Sequence, residues 1–124
     1  MHVGALVGGS SEVVGPETTL FAASEILIAN GVGSLAVVDD RHLAGIITER
    51  DLVRATAAGA DPNDAVVKDW MAVSPDTIGP EVDVEEAAAW LLEMGYRHLP
   101  VMEGDELLGV VSIRDLLWAI SSDT

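Results

Sequence analysis

Gly45-Ile46-Ile47-Thr48-Glu49-Arg50-Asp51-Leu52 returns 64 residues later as Gly109-Val110-Val111-Ser112-Ile113-Arg114-Asp115-Leu116. The same offset sets Gly15-Pro16-Glu17 on Gly79-Pro80-Glu81, Gly31 on Gly95, Leu35 on Leu99, Val37 on Val101 and Leu43 on Leu107. Residues 13–55 overlie residues 77–119 without a gap. A fixed internal period marks two copies of one supersecondary unit. Here the copies fill nearly the whole chain, and like halves predict like clefts between them.

Each copy reads as strand–helix–strand–strand–helix. In the first, Thr18 or Thr19 caps a helix whose Leu20, Ala23, Ile26 and Leu27 share one face, and Gly31 closes it. In the second, Asp83 starts the helix, Glu86 completes a capping-box pattern and Gly95 suits the left-handed closing position. A hairpin follows in each, at residues 34–38 and 43–48 and again at residues 98–102 and 107–112. Thr48-x-x-Asp51 and Ser112-x-x-Asp115 then open a second helix. Between the copies, residues 64–71 predict one or two helical turns, and Ser74-Pro75-Asp76 breaks them before a strand at residues 77–79. Hairpins mixed with helices predict an α+β fold. Repeat 1 then covers residues 1–58, a structured connector and leader of repeat 2 covers 59–76, and repeat 2 covers 77–124.

At 124 residues the chain has the length of one domain. Either half alone would be marginal, which predicts a shared core. With 49% hydrophobic and 22% charged residues it is globular rather than disordered. The absence of cysteine excludes disulfides, thiolate catalysis and cysteine-ligated metals. A net charge of −15 repels nucleic acid and anionic membranes, so neither is an expected partner. No apolar run reaches the length of a membrane span, and residues 1–12 lack the basic start of a signal peptide. A cytoplasmic location is the expectation.

Catalytic motifs are missing from the sequence. Gly8-Gly9-Ser10 is not followed by the Lys-Ser/Thr of a P-loop. There is no Gly-x-Ser-x-Gly elbow and no His-Glu-x-x-His helix. The three histidines lack metal-ligand spacing, and Asp39, Asp40, Asp105 and Glu106 lack that of a calcium loop. The expectation is no enzyme, no metal and no required cofactor.

The repeat resembles the CBS domain, the module named for cystathionine β-synthase, and the tandem resembles a Bateman module. Three features carry the resemblance: the duplicated stretch quoted above, Arg97-His98-Leu99-Pro100-Val101 entering a strand, and Val67-Lys68-Asp69-Trp70-Met71 as a leader into a repeat. The resemblance implies two β-α-β-β-α repeats packed through their sheets about a pseudo-twofold axis. It also implies two clefts for adenosine-containing ligands such as AMP, ADP, ATP or S-adenosylmethionine.

Residue by residue, the resemblance implies a first cleft of Thr48 and Asp51 with Thr77, Ile78, Tyr96, Arg97, His98, Leu99 and Pro100. Unpaired N–H groups at a helix start attract phosphate, and a carboxylate accepts from the two hydroxyls of a ribose. Arg97, and His98 beside it, would face phosphates, while Ile78 and the backbone of residues 96–100 flank adenine. The second cleft would join Ser112 and Asp115 to Val13, Val14, Val32, Gly33, Ser34 and Leu35. It is poorer, because Gly33-Ser34 replaces Arg97-His98 and Ala36 stands where Pro100 stands. Val3–Gly9 matches the leader only weakly, since Gly8 and Gly9 break its helical pattern. The alternative to the ligand role is that Thr48-x-x-Asp51 is only a capping box and that Arg50 and Arg114 pair with acidic neighbours.

Two readings follow. One is a regulatory module that binds an adenosine ligand, linked to the conformation of a dimer or of an effector protein. The other is an interaction module that binds no nucleotide. CBS pairs similar to this one dimerise through their helices, which implies a homodimer using residues 21–28, 52–55, 85–92 and 116–120.

Overall fold

A computed structural model of the chain describes residues 1–7 and 13–122. Gly8, Gly9 and Ser10, and the readings placed on them, lie outside the described residues. The fold is mixed α and β, built from two repeats. The chain divides into two compact units, Glu12–Pro75 and Met1–Ser11 with Asp76–Thr124.

In the unit Glu12–Pro75, strand β1 (Val13–Val14) leads to helix α1 (Leu20–Asn30). Of the two candidate caps it is Thr19 whose hydroxyl accepts from the Ala22 N–H, at 3.1 Å. Gly31 ends the helix at φ 62°, a left-handed conformation that costs glycine little. Strand β2 (Ser34–Asp39) pairs parallel with β1 and antiparallel with β3 (His42–Thr48). Asp40 and Arg41 both take positive φ at the turn, which matches the twist of the hairpin. Helix α2 (Glu49–Ala57) follows directly. The predicted helical stretch at residues 64–71 is reduced to one 3₁₀ turn, Val67–Asp69. Beyond it β4 (Ala72–Val73), not foreseen in the sequence, adds to the outer edge of β3 with Gly45 opposite Val73. Glycine is required at position 45, because a Cβ there would lie 2.5 Å from the Ala72 carbonyl oxygen.

In the other unit, helix α3 (Val84–Met94) precedes the hairpin β5 (His98–Glu103) and β6 (Glu106–Ser112) and helix α4 (Ile113–Ser122). Two expectations are corrected here. The strand at residues 77–79 shrinks to a single parallel bridge of Ile78 with Val101. Asp83 does occupy the N-cap of α3, but its side chain makes no capping hydrogen bond and lies 3.5 Å from His2 Nε2 instead.

The units do not coincide with contiguous copies of the repeat. Val67 N–H donates to the Thr18 carbonyl at 2.9 Å and Lys68 N–H to that of Pro16 at 3.1 Å. At the same offset of 64, Val3 N–H donates to Val82 at 2.8 Å and Gly4 N–H to Pro80 at 2.9 Å. Val3 and Val67 are both fully buried. The segment between the copies thus completes the first, and the N-terminal segment completes the second. With these additions each unit has its own core, where one shared core had been expected. Leu20, Leu27, Leu35, Ile47 and Val67 lead one; Val3, Val84, Leu91, Leu99 and Leu116 lead the other. Burying each such side chain contributes about 1.5–3 kcal/mol. Among the described residues no helix is long and apolar enough to cross a membrane.

Candidate functional site

Thr48 is the N-cap of α2, and its cap is complete. Its hydroxyl accepts from the Asp51 N–H at 3.3 Å, while Asp51 Oδ2 accepts from the Thr48 N–H at 2.9 Å and from the hydroxyl at 3.0 Å. Asp51 Oδ1 accepts from Arg54 Nη1 at 2.8 Å. A carboxylate offers about four lone-pair positions, so one is left on Oδ1. The structure therefore forms the capping box that the spacing allowed, and leaves Asp51 a single place for a further donor.

The same unit carries six residues of the second predicted set. Ser34 lies directly across the hairpin from Thr48, and the Gly33 carbonyl accepts from the Glu49 N–H at 3.0 Å. Val14 and Leu35 point into the core, while Val13 and Val32 are exposed.

The other unit repeats the arrangement. Ser112 N–H donates to Asp115 Oδ2 at 3.0 Å, and Asp115 N–H to the Ser112 hydroxyl at 3.1 Å. His98 faces Ser112 across the hairpin, and the Arg97 carbonyl accepts from Ile113 N–H at 2.9 Å. Ile78 N–H donates to the Pro100 carbonyl at 3.0 Å, and Met102 N–H to that of Ile78 at 2.9 Å. Leu99 and Pro100 are buried, and Ile78 nearly so. Thr77 and Arg97 are exposed.

Arg97 makes no ion pair among the described residues, nor do Arg50 and Arg114, so the acidic pairing foreseen for those two is absent. A cation left uncommitted in so acidic a chain remains available to an anion. Tyr96 donates its hydroxyl to Asp76 and meets Trp90 edge-on, with ring centroids 6.1 Å apart. The bond to Asp76 raises the Tyr96 pKa above its ordinary 10.0, helped by partial burial and by the Asp76 charge.

The first predicted set is thus divided between the units, Thr48 and Asp51 in one and Thr77, Ile78 and residues 96–100 in the other. Asp76 and Arg54 were missed as neighbours of site residues. Arg54 had a local signal in its three-residue spacing from Asp51; Asp76 and Tyr96, twenty residues apart, had none.

Residues 10–58 and 67–122 each match the family of the CBS domain. This chain belongs to the CBS domain family. It is 37% identical over 110 residues, 87% of its own length, to an uncharacterized 17.7 kDa protein of Acidianus ambivalens, of which it covers 66%. It spans from 17% to 66% of the lengths of the first four curated relatives it matches. Among solved structures, a protein with CBS domains from Burkholderia ambifaria MC40-6 superposes with a TM-score of 0.93 at 28% identity, covering 100% of this chain and 96% of that one. CBSX2 in complex with AMP gives 0.83 at 28% identity, covering 98% of this chain and 97% of that one, and CBSX2 from Arabidopsis thaliana gives 0.79 at 27% identity, covering 98% and 95%.

Proposed function

We propose that this CBS pair is a non-catalytic regulatory module binding one adenosine-containing ligand: AMP, ADP, ATP or S-adenosylmethionine. The residues assigned to it are Thr48, Asp51, Thr77, Ile78, Tyr96, Arg97, His98, Leu99 and Pro100. The observation that carries the reading is the Asp51 carboxylate, fixed by three hydrogen bonds at a helix start with one acceptor position left. A ribose hydroxyl fills that position, and rotation of the Thr48 hydroxyl toward the ligand frees a second. Arg97, uncommitted, supplies the charge for a phosphate. The AMP complex of CBSX2 supports the ligand class. The second set, Ser112 and Asp115 with Val13, Val14, Val32, Gly33, Ser34 and Leu35, has no cation at the place of Arg97 and is the weaker site.

The ligand acts by linkage, favouring whichever arrangement of a homodimer or effector complex binds it better. A second reading, an assembly module that binds no nucleotide, is favoured by one observation. Ile28 on α1, Leu92 on α3 and Trp118 on α4 are 85%, 70% and 63% exposed. Large apolar side chains so exposed on helices suit a protein surface.

A thermal-shift panel of adenosine, AMP, ADP, ATP and S-adenosylmethionine, with and without magnesium, separates the readings. A saturable rise with an adenosine ligand, reduced for AMP but not for adenosine by Arg97→Ala, supports the sensor. No rise at millimolar ligand leaves the assembly module.

A further inference from the structure

The two capping boxes are an internal control. Both form, with matching bonds from Thr48 and Ser112 to the carboxylates of Asp51 and Asp115. Only the first has an added cation. Arg54 Nη1 lies 2.8 Å from Asp51 Oδ1, and its guanidinium carbon sits 5.7 Å from the centre of the Trp70 ring. At the offset of 64, Arg54 becomes Trp118 and Trp70 becomes Leu6, so the second repeat has neither group. Asp115 makes no ion pair among the described residues. Helix capping therefore does not require Arg54.

We infer that Arg54, steadied by Trp70, is a positioning residue for the Asp51 carboxylate. The inference rests on the proposed binding of an adenosine ligand at Asp51. A planar guanidinium stacks on an aromatic face and bonds a carboxylate in its own plane, which a lysine does less well. Trp70 comes from the segment between the copies and is half-buried against the core of its unit. The guanidinium thus lies between a side chain packed against the core and Asp51 Oδ1. Its bond leaves one Oδ1 lone pair in a defined direction for a ribose hydroxyl. The Asp51 side chain is 13% exposed against 57% for Arg54, so the carboxylate is the sheltered partner and the cation the outer one. Arg54 acts through Asp51, so its effect is the same with or without a phosphate on the ligand.

The test compares wild type, Arg54→Ala and Arg54→Lys by two measurements. The first needs no ligand: the three-bond couplings that report the side-chain rotamer of Asp51, with Asp115 as reference. Wild type is expected to show one rotamer at Asp51. Arg54→Ala is expected to bring Asp51 to the looser distribution of Asp115, which is capped without a cation, and Arg54→Lys to restore it in part. An unaltered Asp51 rotamer in Arg54→Ala overturns the inference, because the cap alone then suffices. The second is affinity for adenosine and AMP. Arg54→Ala is expected to weaken both equally, by about fivefold, the most an exposed ion pair contributes. A loss for AMP alone makes Arg54 a phosphate contact and overturns the positioning role. Wild type that binds neither ligand removes the adenosine reading, while the couplings still decide whether Arg54 orders Asp51.

Discussion

Asp51→Ala and Asp115→Ala remove the same group from the same place in the two repeats, which separates a structural effect from a functional one. Each substitution deprives a cap residue of its partner: the Thr48 N–H at 2.9 Å or the Ser112 N–H at 3.0 Å. A cap of this kind is worth about 1 kcal/mol, and alanine returns about 0.5 kcal/mol through its helix propensity. Asp51 also loses Arg54. That pair adds only about 0.5 kcal/mol, because the guanidinium is 57% exposed and screened by solvent. The net losses are about 1 kcal/mol for Asp51→Ala and about 0.5 kcal/mol for Asp115→Ala. At about 4 °C per kcal/mol for a chain of this size, the melting temperatures fall by about 4 °C and about 2 °C. Scanning calorimetry at one fixed protein concentration measures both, since oligomerisation would otherwise shift the midpoint. The rise produced by AMP should disappear in Asp51→Ala and persist in Asp115→Ala. Equal loss of the AMP effect in both variants would refute the asymmetry of the two sets. An intact AMP effect in Asp51→Ala would refute the role of the carboxylate altogether.

Val67→Ala truncates a fully buried side chain in the core of Glu12–Pro75 and should cost about 2 kcal/mol; amide shift changes should concentrate in that unit, and spread over residues 76–122 would contradict the placement of Val67. Gly45→Ala drives a Cβ against the Ala72 carbonyl and should cost about 1–3 kcal/mol, with loss of amide-exchange protection at Ala72 and Ser74, whose N–H groups face β3; wild-type protection would contradict the β3–β4 pairing. Tyr96 is the chain's only tyrosine, so ultraviolet titration reads it alone. It should ionise above 10.0, and Asp76→Asn should lower that midpoint; an unmoved midpoint would show that the bond does not form in solution. The sign follows from the neutral hydroxyl being the bonded form. The bond stabilises fully below pH 10.0 and its contribution is lost as pH rises through the higher folded-state value.

The repeat was legible because both copies preserve what their geometry demands. Gly31 and Gly95 close α1 and α3 at φ 62° and 74°, and the apolar residues of β2 and β5 recur at the offset. The capping boxes of α2 and α4 were legible because a cap is a local interaction over three residues. Asp83 misled for the same reason: its spacing to Glu86 fits a cap, but its side chain lies against His2, 81 residues away in sequence. The N-terminal leader was obscured by Gly8 and Gly9, although Val3 and Gly4 make the hydrogen bonds that Val67 and Lys68 make. Arg54 over Trp70 could not be read, since nothing local links positions sixteen apart. The carboxylates and Arg97 were nameable from the motif; which of them are already engaged is a property of the fold.

The central claim is that one adenosine ligand binds through Asp51. Titration calorimetry with AMP at fixed salt tests it most directly. The account predicts saturable binding near one ligand per chain in wild type, lost in Asp51→Ala and kept in Asp115→Ala. Absence of binding by wild type at millimolar AMP and its adenosine relatives, or full binding by Asp51→Ala, would contradict it.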